Sequence, residues 1–110
     1  MLRILLRAMA GLLPLILLSS PVLAQGNSAD GQSKSASCAA CHGAKGKAVN
    51  AIYPNLAGQN EDYLALALRA YQKGERSGGQ AGVMQAFTSS LSEQDVSDLA
   101  AYYASLTPLK

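Results

Sequence analysis

One histidine, two cysteines, one phenylalanine and no tryptophan leave this 110-residue chain few groups with which to do chemistry. Each scarcity removes something. With His42 the sole imidazole, no second histidine is available for acid–base work. Cys38, Cys41 and His42 are all the thiols and imidazoles present, so a structural zinc site lacks its usual fourth ligand. Aromatic filling is thin, with Phe87 and five tyrosines to supply it. Charge is sparse too, at 15% of residues, and the formal +2 disappears once Arg3 and Arg7 are set aside. No basic footprint for nucleic acid remains. No stretch alternates apolar and polar residues as a strand does, and no internal repeat is present.

What is there is concentrated in Cys38-Ala39-Ala40-Cys41-His42. Two cysteines three apart, with a histidine directly after the second, form the attachment signal for c-type haem. The spacing follows from the chemistry. Each thiol adds across one haem vinyl group, and two intervening residues let a single turn of chain reach both. The adjacent imidazole is then held under the iron as the proximal ligand. A thioredoxin-like dithiol is the competing reading, but it calls for a βαβ context that the sequence does not offer.

Residues 1–24 read as a secretory signal peptide. Arg3 and Arg7 form the positive region, Ala8 to Leu18 the apolar core, and Val22-Leu23-Ala24 the cleavage site, which gives a mature chain from Gln25. Pro14 and the Ser19-Ser20-Pro21 interruption make a poor membrane anchor. The arginines are not paired for a twin-arginine route, and no cysteine follows the cleavage site to take a lipid. Export fits haem attachment, which needs controlled thiol redox state outside the cytoplasm. Without Arg3 and Arg7, seven Lys and Arg stand against seven Asp and Glu.

Residues 25–110 make one small domain. The pattern predicts a helix over Ser28 to Ala40, capped by Asn27 or Ser28, broken by Gly31 and delivering Cys38. Gly43 to Gly58 reads as loop. Asn60 caps a second helix, with Glu61 and Asp62 at its positive end and Leu64, Leu68 and Tyr71 along one face, stopped by Gly74. Glu75 to Ala81 is again loop. Ser92, with Asp95 three residues on and a Leu91/Val96 staple, opens the last helix; Val96, Leu99, Tyr103 and Leu106 form its stripe, and Pro108 ends it. The class is all-α.

Once Met1 and Met9 leave with the signal peptide, Met84 is the one thioether in the chain. It lies in a segment flanked by loop glycines, able to fold over the haem. A lone methionine is commonly core filler. As the sixth ligand it would saturate the iron, favour the ferrous state and make the protein an electron carrier. Unbound, it would leave an open iron site, suited to a sensor or a peroxidase, with Arg69, Arg76 and the tyrosines as the remaining distal groups.

Taken together, these stretches resemble class I cytochromes c, above all small bacterial periplasmic ones and the single-haem halves of the cytochrome c-four group. The likeness runs from about Asn27 to Leu106. It rests on Cys38 to Gly43, on Tyr53-Pro54-Asn55-Leu56-Ala57-Gly58-Gln59, on Met84, and on Leu91 to Tyr103. The resemblance implies that the Pro54 carbonyl accepts the His42 Nδ1–H, that Leu56 packs on the haem and that Met84 is the distal ligand. It implies a crossing of the first and last helices, with Gly31 facing Tyr102 or Tyr103. Two departures stand out. A single C-x-x-C-H means one haem, and the tryptophan that binds a propionate in mitochondrial relatives is missing, leaving Gln59, Tyr63 or Arg69 to replace it.

The reading is therefore a periplasmic monohaem cytochrome c, a monomer and not an enzyme, carrying one haem c and one electron between a donor and an acceptor protein in brief encounters. Membrane complexes are among its expected redox partners, and a relay subunit fixed in an oxidase or dehydrogenase complex is the alternative. Ile52, Tyr53, Val83 and Phe87 either frame an exposed haem edge or fill the core. A domain this small buries too little apolar surface to be stable by a wide margin, and the porphyrin supplies the missing core. Calorimetry should accordingly show a cooperative transition for the haem-loaded protein and none comparable for the apoprotein.

Overall fold

The computed structural model describes residues 14–18 and 25–109. The expected cleavage site after Ala24 lies outside them. Five helices follow in order: α1 (Ser28–Lys34), α2 (Ala36–His42), α3 (Glu61–Gln72), α4 (Ala81–Thr88) and α5 (Glu93–Ser105). No strand occurs among the described residues, so the fold is all-α, as the sequence implied. None of the described helices is long and apolar enough to cross a membrane.

The frame is the crossing of α1 on α5. Asn27 caps α1 by accepting the Asp30 N–H at 3.0 Å, which satisfies one of the orphan donors of the first turn. Gly31, buried in the middle of α1, is where the two backbones meet. A Cβ there would come within 2.6 Å of both the Asp98 carbonyl carbon and the Tyr102 Cβ, so only glycine permits the contact. Of the two tyrosines that the resemblance offered as Gly31's neighbour, Tyr102 is the one it touches.

Asp98 then locks the crossing from inside. Its side chain is 1% exposed. It accepts the Asn27 N–H at 2.8 Å and the Gln94 side-chain amide at 2.8 Å on one oxygen, and Lys34 Nζ at 2.7 Å on the other. Lys34 reaches Asp95 as well, at 2.8 Å. A buried carboxylate is tolerated only when its lone pairs are filled in this way.

Two elements differ from expectation. Gly31 does not break α1; the break comes at Ser35. There the hydroxyl donates to the Gln32 carbonyl at 2.8 Å, and the Ser35 N–H takes the same carbonyl at 3.2 Å. That three-residue closure ends one helix, and the Ser35 carbonyl starts the next by accepting from Cys38 and Ala39. The segment carrying Met84, expected only to be able to fold over the haem, is the helix α4. Its far end is tied to α3 by the Gln72 amide, which donates to Thr88 and Leu91 carbonyls at 2.9 Å each.

The other helices are signed as read. Asn60 accepts the Tyr63 N–H at 3.0 Å to start α3. Ser92 and Asp95 form a reciprocal capping box at 3.0 and 2.9 Å to start α5. Leu64 of α3 meets Leu99, Ala100, Tyr102 and Tyr103 of α5 to make the core.

Lys34 holds Asp98 and Asp95 in their charged forms, lowering the first and bringing the second to about 2 from 3.8. Carboxylates depressed in the folded state add stability above their unfolded pKa and lose it as pH falls through the folded one. The melting temperature should therefore drop as pH falls from about 4 towards 2, and drop less in an Asp95→Asn/Asp98→Asn double variant. Asp98→Ala leaves the lysine and the Asn27 N–H without their buried acceptor, and urea unfolding should show a loss of about 3 kcal/mol.

Candidate haem site

The C-x-x-C-H signal sits on α2, where positions i, i+3 and i+4 share one face. Cys38 and Cys41 are half-buried free thiols and His42 is buried. Burial pushes the Cys38 thiol upward. The helix stops directly after His42 because Gly43, at φ +80°, turns the chain while its N–H closes on the Ala39 carbonyl at 2.9 Å. A Cβ at Gly43 would also strike the Lys47 backbone, so both the conformation and the space call for glycine.

That turn brings the next loop up to the histidine. The Gly46 carbonyl accepts the N–H groups of Leu56 and Ala57 at 2.8 and 3.1 Å. Asn55 reaches back to accept the Ala48 N–H at 2.7 Å, and the Gln59 amide donates to the Asn55 carbonyl. Gly58 donates to the Tyr103 carbonyl at 2.9 Å, bolting the loop to α5. Held on both sides, the loop presents the Pro54 carbonyl 2.8 Å from His42 Nδ1. A carbonyl only accepts, so Nδ1 carries the proton and Nε2 keeps its lone pair. The Tyr53 ring lies 6.3 Å from the imidazole, tilted at 59°.

All six residues singled out in the sequence, Cys38, Cys41, His42, Pro54, Leu56 and Met84, line one cavity of about 1070 Å³. It lies just above the usual size range of ligand pockets, about 300–1,000 Å³. Leu64 of α3 and Leu99 of α5 form apolar wall, and Met84 enters from α4, half-buried. Tyr103 also lines the cavity, and its hydroxyl is buried with no hydrogen-bond partner in the protein. Burial, and then its neighbour Cys38, push its pKa upward. Two thiols and an imidazole with its Nε2 lone pair free, set in the wall of one large and mainly apolar cavity, fit a covalently held porphyrin.

The cytochrome c family profile matches residues 28–107. The chain belongs to the cytochrome c family. It is 45% identical over 80 residues to cytochrome c-554(548) of Halomonas halodenitrificans, a match covering 73% of this chain and 96% of that one. It is 43% identical over 82 residues to cytochrome c4 of Pseudomonas aeruginosa, covering 74% of this chain and 39% of the relative. The structure superposes on reduced cytochrome c4 from Pseudomonas stutzeri with a TM-score of 0.61 and 35% identity, over 74% of this chain and 46% of that one. This cytochrome c thus spans nearly all of the first relative and under half of the c4 proteins. The family's cofactor is covalent haem c, and Cys38 and Cys41 stand at its attachment spacing. The family's members carry electrons.

The remaining expectations sort by position. Ile52, Tyr53, Val83 and Phe87 all line the cavity; Ile52, Val83 and Phe87 are also 62%, 45% and 51% exposed, which marks a rim and not a core. Gln59 and Tyr63, two of the three residues offered in place of the missing tryptophan, line the cavity. Arg69 does not: it pairs with Glu93 at 3.0 Å. The guanidinium on the cavity wall is Arg76. It sits in a glycine-flanked loop where no periodicity tells which way a side chain faces.

Proposed function

We propose that this cytochrome c is a periplasmic, monomeric, monohaem one-electron carrier in which His42 and Met84 would be the two protein ligands of the haem iron. Haem c supplies a reversible one-electron centre. The residues supply everything else. Cys38 and Cys41 hold the porphyrin by thioethers, and His42 presents Nε2 because Pro54 takes its Nδ1–H, an outer contact that fixes the ring and makes it a stronger donor. Met84 would provide the thioether that raises the potential and closes the iron to small ligands. Leu56 packs against the ring and helps keep water out. Residues 1–24 serve as an export signal removed after Ala24, and the partners are a donor and an acceptor protein met briefly, membrane complexes among them.

The observation that carries this reading is the 2.8 Å contact of His42 Nδ1 with Pro54, made on the wall of the same cavity that Met84 lines. No further histidine or methionine lies between Gln25 and Lys110 to compete.

Oxidised and reduced optical spectra should be low-spin, with the Met-sulfur charge-transfer band in the oxidised form, and carbon monoxide should leave the reduced form unchanged. Met84→Ala should abolish the band and admit carbon monoxide. A high-spin wild type that binds carbon monoxide would transfer the function to an open-site sensor or peroxidase.

Charge sets the docking mode. Lys34 and Arg69 are already paired internally, and the exported chain is nearly neutral, so long-range steering is weak. Electron exchange with a redox partner should change by less than about threefold as the Debye length shrinks from ~30 to ~8 Å between 0.01 and 0.15 M salt. A rate that falls tenfold or more over that interval would contradict this.

A further inference from the structure

Three consecutive residues ahead of α1 touch α5, and the haem site uses none of these contacts. The Gln94 side-chain amide donates to the Gln25 carbonyl at 3.0 Å and to Asp98 Oδ1 at 2.8 Å. Gly26 lies flat against α5, where a Cβ would strike the Ser97 carbonyl and come 2.8 Å from the Ala101 Cβ. Asn27 sends its N–H to Asp98 Oδ1 at 2.8 Å. Gln25 to Asn27 are thus seated on α5. Gln25 is also the residue that removal of the export segment after Ala24 would leave first.

A chain end at this place is structural and vulnerable at once. Loss of Gln25 and Gly26 would take away one acceptor of Gln94. It would also turn the Asn27 amide into a terminal ammonium beside the Lys34–Asp98 pair. Gln25 itself is exposed, and among the described residues it is held through its main-chain carbonyl, which leaves its side-chain carboxamide free to react.

The chemistry of a terminal glutamine meets this need. Its α-amine, with a pKa of about 8, is partly neutral near pH 7, and it reaches the side-chain Cδ in a five-membered ring. The N–Cδ bond forms and the Cδ–Nε2 bond breaks. The side-chain nitrogen leaves as ammonia, taking the proton that the amine gives up, and nothing is oxidised or reduced. The ring contains N, Cα, Cβ, Cγ and Cδ. The main-chain carbonyl stays outside it, so Gln94 keeps its acceptor.

We propose that Gln25 of the exported chain is modified in this way, closing to a pyroglutamate that ends the protein without an amine. The assignment rests on removal of residues 1–24 as an export signal. It gives the contacts at residues 25–27 a lasting end, because an aminopeptidase needs a free amine to start from. It also removes a charge, as blocking a terminus does in general.

The test takes haem-loaded wild type and Gln25→Glu, each exported behind its own signal segment, and measures the intact mass of the purified protein before any digestion. Wild type should have the mass of haem plus a chain beginning at Gln25, less one ammonia, and a pyroglutamyl-specific peptidase should remove its first residue. Gln25→Glu, whose carboxylate resists attack by the amine, should keep its full mass. A wild type that begins at Gln25 and retains the ammonia would overturn the proposal and leave the cleavage reading standing. A chain that begins at any other residue would overturn both.

Discussion

The governing constraint is that one set of side chains serves both the helix–helix core and the wall of the cavity. Leu99, Val96, Thr88 and Asp98 are the largest side chains that are completely buried, and two of the four are polar. Leu64, Leu99, Ala100 and Tyr103 belong at once to the helix–helix core and to the cavity wall. Burial at about 25 cal/mol per Å² is gained by the protein alone only on faces where side chain meets side chain, and not on the faces that line the cavity. The same residues that pack the helices are therefore the ones that a porphyrin covers, and folding and cofactor binding draw on one surface.

Around this hollow, polar bonds set positions that packing alone leaves loose. The Lys34–Asp98–Asn27 cluster fixes α1 on α5, and α2 follows α1 after the single residue Ser35, so the crossing also sets where Cys38, Cys41 and His42 face. A second set of bonds, from Gly46 to Leu56, Asn55 to Ala48 and Gly58 to Tyr103, carries the Pro54 carbonyl to the imidazole. The two sets meet on α5. Orientation of the ring thus depends on residues far from it in sequence, which is how a site built partly on a loop attains the precision of one built on helices.

Local chemistry was legible in the sequence; the direction of a side chain in an irregular segment was not. The C-x-x-C-H spacing, the Ser92/Asp95 box and the Asn60 cap each declare themselves within five residues, because the physics that fixes them is equally short-ranged. The Gly31 crossing was reached through resemblance, and the contact with Tyr102 gives its steric reason. Three features escaped. Ser35 ends α1 by a hydroxyl competing for one carbonyl, a contest that composition does not decide. Helix α4 has no capping side chain at Gln80 and contains Gly82, so its support comes from Gln72 of α3. Arg69 and Arg76 are alike in sequence terms, yet Glu93 on α5 draws one outward while Tyr63 and Tyr71 hold the other on the cavity.

The rim completes the link from fold to transfer. Ile52 and Tyr53 come from the loop that carries Pro54, and Val83 and Phe87 come from the helix that carries Met84. The mouth of the cavity is thus framed by segments already pinned at the two proposed axial positions. Three of these four side chains are largely exposed apolar groups. A partner that covers them removes water from the cofactor's edge without breaking an ion pair, since Lys34 and Arg69 spend their charge within the chain. A small apolar contact of this kind suits a carrier that must dock at short range and leave again, because it supplies proximity and drying while adding little affinity. A fixed approach to His42 and Met84 and weak adhesion at the rim are then two results of the same placement.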